Sequence, residues 1–190
     1  SARDASYRDA LARLEAAGAV YPCTCTRKEI QRAASAPHGV EGLGLRYPGT
    51  CRSGPSHPGR AAAMRFALAE PPPDVHDRLS GHHDANAWGG DFVVRRADGV
   101  WAYQLAVVVD DAAMGITEVV RGDDLLPSTP RQLALFAALG ETAPAHLHLP
   151  LVLGPDGKRL AKRDRSRGLS TLRESGWSAG RVRGWLATSL

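Results

Sequence analysis

The residues best suited to chemistry are three cysteines, Cys23 and Cys25 in a Cys-Thr-Cys run and Cys51 after a long gap. Zinc takes four ligands in a tetrahedron, commonly thiolate or imidazole. The cysteines supply three, and on chemistry alone the fourth is His38, His57 or an oxygen donor such as Tyr47. The competing reading is three buried, inert thiols. Between Pro37 and Arg60 the chain is rich in Gly, Pro, His and Ser and has no hydrophobic periodicity. A stretch that long needs something besides packing to hold it, which favours a metal clip.

A second group is the cationic run from Gly157 to Arg165, which follows an apolar segment and a Gly-Pro-Asp-Gly turn. Mobile Lys and Arg at the carboxyl end of a strand in an open α/β sheet suit a triphosphate. The alternative is a solvated basic loop. No G-x-x-x-x-G-K-[ST] pattern occurs, so a P-loop is not expected. Third is Arg121, at the end of an apolar run before Gly122-Asp123-Asp124. It is placed either to meet a carboxylate bidentately or to pair with Asp123 or Asp124. His146 and His148 share one face of a strand and suit either a metal pair or a core. Asp110-Asp111 offers carboxylates for magnesium or for a helix end, and His82-His83 shows nothing specific.

The elements that position these groups follow from periodicity. Tyr7, Leu11 and Leu14 predict a helix over 4–17, started by Asp4 or Ser6 and stopped by Gly18. Residues 20–25 predict a short extended piece, followed by a short helix over 28–34. Residues 65–68 predict a strand, and 92–96 with 100–103 a hairpin about Ala97-Asp98-Gly99. Leu105–Val109 fits helix or strand. Residues 116–120 predict a buried strand, and Thr129-Pro130-Arg131-Gln132 has the form of a capping box opening a helix that ends at Gly140. A strand over 146–153 and a helix over 178–188 complete the series. Strand–helix–strand order argues α/β with parallel pairing.

The 190 residues, 43% hydrophobic, suffice for one domain core with a small appendage. A net charge of +4 fits a polyanionic partner without demanding one. Three cysteines argue against a disulfide framework and for a reducing compartment. No apolar run approaches a membrane span or a signal peptide. A cytoplasmic monomer is the expectation.

Three separated stretches resemble, in order and spacing, the catalytic domain of class I glutamyl-tRNA synthetases. They are Tyr21 to Arg27; Ala102 to Asp111 with Ile116 to Leu126; and His148-Leu149-Pro150-Leu151 leading to Lys158 through Arg163. The Cys-Thr-Cys-Thr-Arg start, with Tyr47 and Cys51, resembles more closely the short paralogues that glutamylate queuosine in tRNA(Asp). The resemblance covers roughly residues 5–170. It implies a Rossmann-like α/β class I fold carrying a small zinc-binding insertion. Glutamate and ATP, with magnesium, would give glutamyl-adenylate and pyrophosphate, and glutamate would then pass to queuosine at the wobble position of tRNA(Asp).

By the same resemblance Cys23, Cys25, Tyr47 and Cys51 ligate structural zinc, and Tyr103 and Arg121 bind glutamate. Arg159, Leu160, Ala161, Lys162 and Arg163 stand for the mobile KMSKS-like loop at ATP, with Lys162 and Arg159 in the catalytic roles. Arg159 there replaces a Lys and Ala161 a Ser, so charge is kept and a hydroxyl is lost. The implied division is 1–20 as a helix of the catalytic domain, 21–60 as the zinc insertion, 61–168 as the second part of the catalytic domain, and 169–190 as the start of a helical region. The HIGH-like motif of the family is expected before Ser1, and the chain alone is not expected to form the adenylate. The rival readings are an ordinary glutamyl-tRNA synthetase and a non-catalytic, zinc-containing tRNA-binding module.

Overall fold

The computed structural model describes residues 3–33, 46–153 and 168–188. His38 and the basic run at Arg159, Leu160, Ala161, Lys162 and Arg163 lie outside the described residues.

The periodic Tyr7, Leu11 and Leu14 form one buried stripe of α1, Asp4–Ala16. No side chain caps its start: Asp4 instead accepts a 2.7 Å hydrogen bond from the Trp101 indole, and Arg8 pairs with it one turn on. At the other end Gly18, at φ 65°, lets its own amide reach Glu15 and that of Ala19 reach Leu14. These two bonds satisfy carbonyls that the helix leaves open. The chain then runs through β1, Val20–Cys23, and α2, Arg27–Ala33. It returns through β2, Ala63–Phe66, antiparallel to β1, with Cys23 opposite Ala63. The cysteine-bearing loop therefore leaves and re-enters through neighbouring strands.

Two short strands follow, β3, Val75–Asp77, and β4, Gly81–His83, then β5, Phe92–Arg95. The expected hairpin after β5 forms, but its return arm is a single bridge from Trp101 to Arg95. Tyr103 already begins α3, Tyr103–Met114. The ambiguous apolar run is thus helical, and Leu105 and Val108 bury the face that a three-residue spacing brings together. β6, Glu118–Gly122, is followed by a 3-10 turn, α4, Thr129–Ala138, and β7, Ala145–Leu149. α5, Leu169–Glu174, precedes the helix read over 178–188, which is α6, Ala179–Ala187, and starts where Ser178 accepts the Arg181 amide.

β6–α4–β7 is the parallel crossover that the element order implied, with Val119 opposite His146 and Arg121 opposite His148. β7 also pairs parallel to β3, giving a mixed sheet in the order β4-β3-β7-β6. The second sheet, β1-β2-β5, is antiparallel. The apolar core lies between this second sheet and helices α1, α3 and α4, joined by Leu14, Phe66, Val94, Leu105, Val108, Leu135 and Phe136.

Two local expectations are corrected. β6 is not a buried strand, since Val120 is 56% exposed and Ile116 is 36% exposed. It is the edge of its sheet, and Val120 on one of its faces stands exposed. The capping box at Thr129 does not form either. Its Thr129 hydroxyl is engaged by Arg121 and its Gln132 amide by Gln104 of α3, so tertiary partners outcompete the local cap.

Candidate functional site

Strand β1 delivers Cys23 and the residues beyond it to the same place as the loop containing Tyr47 and Cys51. Cys23 and Cys51 are buried, Cys25 is half-buried, and the three Sγ atoms lie within 4.8 Å of one another. Cys25 Sγ is 3.5 Å from Cys51 Sγ. A zinc–sulfur bond near 2.3 Å sets sulfurs about 3.8 Å apart across a tetrahedron, so the spacing fits that ion. Tyr47 Oη stands 3.3 Å from Cys23 Sγ and 3.4 Å from Cys25 Sγ, and it accepts the Cys51 amide at 2.9 Å. Among the described candidates for a fourth donor, Tyr47 stands inside the cluster. His57 is turned away, with Nε2 3.1 Å from Glu29, and His38 lies outside the described residues.

The surroundings hold the cluster without a large apolar core. Ser56 gives its amide to Cys51 Sγ and sets its hydroxyl 3.3 Å from the same sulfur. The Arg65 guanidinium lies 4.0 Å over the Tyr47 ring. Arg52, next to Cys51, forms two bonds to the buried carboxylate of Asp91, which also accepts the Tyr21 hydroxyl. Burial opposes ionisation of Cys51. Hydrogen bonds from the Ser56 hydroxyl, Tyr47 and the Ser56 amide outweigh it and draw the thiol down to about 5. Burial pushes Cys25 up. Ser56, Arg52 and Asp91 carried no signal in the sequence, because each acts through a fold that joins distant segments.

The second assembly is centred on Arg121, at the carboxyl end of β6. Its Nε donates to His148 Nε2 at 2.9 Å, and its Nη2 donates to Thr129 Oγ1 at 2.9 Å and to the Leu125 carbonyl at 3.4 Å. All three acceptors are neutral. Among the described residues no direct ion pair joins Arg121 to Asp123 or Asp124, though the Asp124 charge still acts on it. Burial pushes its pKa below the usual arginine value, against the pull of Tyr103, Asp111 and Asp124. Tyr103, at the first turn of α3 and half exposed, is the phenol beside this cation. The arrangement is a partly desolvated positive charge held by these three neutral acceptors, suited to a carboxylate.

His146 and His148 are buried on one strand face with rings stacked 5.9 Å apart. They are core groups: His148 is bonded to Asp77 and Arg121, and neither belongs to a metal cluster among the described residues. Asp110 likewise pairs with Arg3 and Tyr7.

The chain was also compared with known proteins. Residues 1–182 match the family described as tRNA synthetases class I (E and Q), catalytic domain. A glutamyl-Q tRNA(Asp) synthetase of Symbiobacterium thermophilum is 51% identical over 195 residues, covering 98% of this chain and 60% of the relative. One from Nocardia farcinica is 48% identical over 197 residues, covering 100% of this chain and 62% of the relative. The chain thus spans about 60% of the length of such relatives. Among solved structures, a glutamate tRNA ligase from Elizabethkingia meningosepticum, in complex with its amino acid, superposes with a TM-score of 0.68 at 27% identity. That match covers 86% of this chain and 36% of the ligase.

Proposed function

Because this chain belongs to the family of class I tRNA synthetase (E and Q) catalytic domains, we propose that the protein carrying it activates glutamate with ATP and transfers it to queuosine in tRNA(Asp). The observation that supports this most directly is Arg121. A cation held by three neutral acceptors, beside a phenol and at the carboxyl end of parallel strands, gains most from an incoming carboxylate. Open α/β sheets bind their ligands at that end. Tyr103 and Arg121 are therefore assigned to glutamate. The acceptor is assigned from the relatives, whose names specify glutamyl-Q tRNA(Asp).

The chemistry is acyl activation. A glutamate carboxylate oxygen attacks the α-phosphorus of ATP, the bond to the bridging oxygen breaks, and pyrophosphate leaves with that electron pair. Magnesium, when bound, would offset the charge that builds on the phosphates together with side-chain cations. Arg159, Leu160, Ala161, Lys162 and Arg163 are assigned to that task, with Lys162 and Arg159 as the stabilising cations. Residues 61–168 then form the second part of the catalytic domain after the helix of 1–20, with 21–60 as the insertion and 169–190 opening a helical region. Cys23, Cys25, Tyr47 and Cys51 fit zinc and would hold it. The ion would serve as a clip for a loop with little apolar packing, and no reaction step passes through it. No helix among the described residues is long and apolar enough to cross a membrane. A cytoplasmic monomer acting on tRNA is the reading adopted.

The test is transfer of labelled glutamate by the natural-length protein to tRNA(Asp) with queuosine, tRNA(Asp) without it, and tRNA(Glu). Label confined to the first supports the proposal. Label on tRNA(Glu) would make it a protein-synthesis enzyme, and label on none would favour a binding module.

A further inference from the structure

Arg121 is held by a side chain that is itself held. Asp77, at the end of β3, is 5% exposed, and His148, on β7, is 2% exposed. Asp77 Oδ2 accepts both the His148 amide at 2.9 Å and His148 Nδ1 at 2.7 Å. Its other oxygen accepts the Leu79 and Ser80 amides and the Ser80 hydroxyl. The carboxylate is thus fixed by five donors from two segments and cannot turn without breaking several bonds.

These contacts dictate the state of the imidazole. A carboxylate only accepts, so Nδ1 facing it carries the proton. An arginine Nε only donates, so His148 Nε2, 2.9 Å away, presents its lone pair. The ring is neutral, with one tautomer selected from both sides. Thr129 Oγ1 completes the arrangement, accepting from Arg121 Nη2 while lying 3.4 Å from the same Nε2. His148 of β7 and Thr129 of α4 therefore hold one edge of the guanidinium, with Asp77 of β3 behind the imidazole, and the Tyr103 phenol stands near the cation.

We propose that Asp77 and His148 are positioning residues for Arg121, an aspartate–imidazole relay that presents the guanidinium to the substrate carboxylate without neutralising it. A direct Asp–Arg pair would hold the side chain as firmly but would cancel the charge the substrate needs. Interposing a neutral imidazole keeps the orientation and leaves the cation whole. The relay rests on the assignment of Arg121 to glutamate, and the two ideas fail differently.

The test measures glutamate-dependent ATP–pyrophosphate exchange by the natural-length protein, with KM determined separately for glutamate and for ATP. His148→Leu is expected to raise the glutamate KM about tenfold or more, because a misplaced binding group costs on that order. The ATP KM stays within about twofold, since the loss is confined to one substrate. His148→Gln, which returns an acceptor near the place of Nε2, recovers most of the loss. A folded His148→Leu protein with an unchanged glutamate KM, or with both constants raised together, would overturn the relay. If His148→Leu does not fold, nitrogen-15 NMR of the wild-type imidazole decides. Protonated Nδ1 with bare Nε2 supports the relay, and a proton on Nε2 refutes it. If Arg121→Gln itself leaves the glutamate KM unchanged, the assignment of Arg121 falls. If Arg121→Gln raises it while His148→Leu does not, only the relay falls.

Discussion

Individual residues carry chemistry here only where distant segments bring the right partners. The cysteine cluster shows this well. Its three sulfurs were legible from residue type and spacing, but the fourth donor was not, because His38, His57 and Tyr47 all lie in a loop whose path no periodicity reveals. In the fold His57 is taken by Glu29, while Tyr47 stands among the thiols. Tyr47→Phe is accordingly expected to weaken zinc binding, measured by competition with a chromophoric chelator. The loss should be about 10-fold to 100-fold, the range seen when a supporting group of a metal site is removed. His57→Ala should leave the affinity unchanged. The reverse pattern would reassign the fourth ligand. Arg121 is a comparable case. The sequence left it between a ligand for a carboxylate and a partner for Asp123 or Asp124, and the contact that holds it, with His148, spans 27 residues.

Elements were easier to read than residues wherever local rules and tertiary packing agree. Helices α1, α3 and α4 each stop at a glycine, Gly18, Gly115 and Gly140, all at φ 65°. At each stop the glycine and the residue after it turn their amides back onto the helix's last carbonyls. Gly140→Ala has open space for its methyl group, so its cost is the left-handed backbone alone. It is expected to lower unfolding free energy by about 1–2 kcal/mol, read from urea denaturation; no change would mean that this turn relaxes into another conformation. The elements misread were those where tertiary partners prevailed. The Thr129–Gln132 pattern promises a cap, yet both side chains are drawn to Arg121 and Gln104. β6 has the apolar content of an interior strand but sits at the edge of its sheet. The hairpin arm over 100–103 shortens to a bridge because α3 claims Tyr103.

At the scale of the whole molecule, the parallel crossover that places Arg121 beside His148 also buries two imidazoles. Burial draws His146 down to about 4 from an ordinary value of 6.5, with Arg121 and His148 acting in the same direction. The unfolded chain therefore binds a proton at this residue that the folded one refuses between about pH 6.5 and 4, and stability falls as pH falls through that window. The shift corresponds to about 3 kcal/mol, which His146→Leu should largely remove from the pH dependence of the urea midpoint. Asp77 acts in a lower window. Burial raises it, but the Ser80 amide, His148 and the Leu79 amide hold it below the usual carboxylate range, so its contribution is present above the ordinary pKa of an aspartate and lost only in stronger acid. An equal slope in wild type and His146→Leu would place the acid sensitivity elsewhere. The proposed function rests on Arg121 as the cation that receives glutamate. The most direct measurement is glutamate-dependent ATP–pyrophosphate exchange by the natural-length protein, wild type beside Arg121→Gln. Exchange with glutamate but not aspartate or glutamine, and a glutamate KM raised by about tenfold or more in the variant at unchanged ATP KM, is the predicted result. Exchange indifferent to Arg121, or supported only by another amino acid, would contradict it.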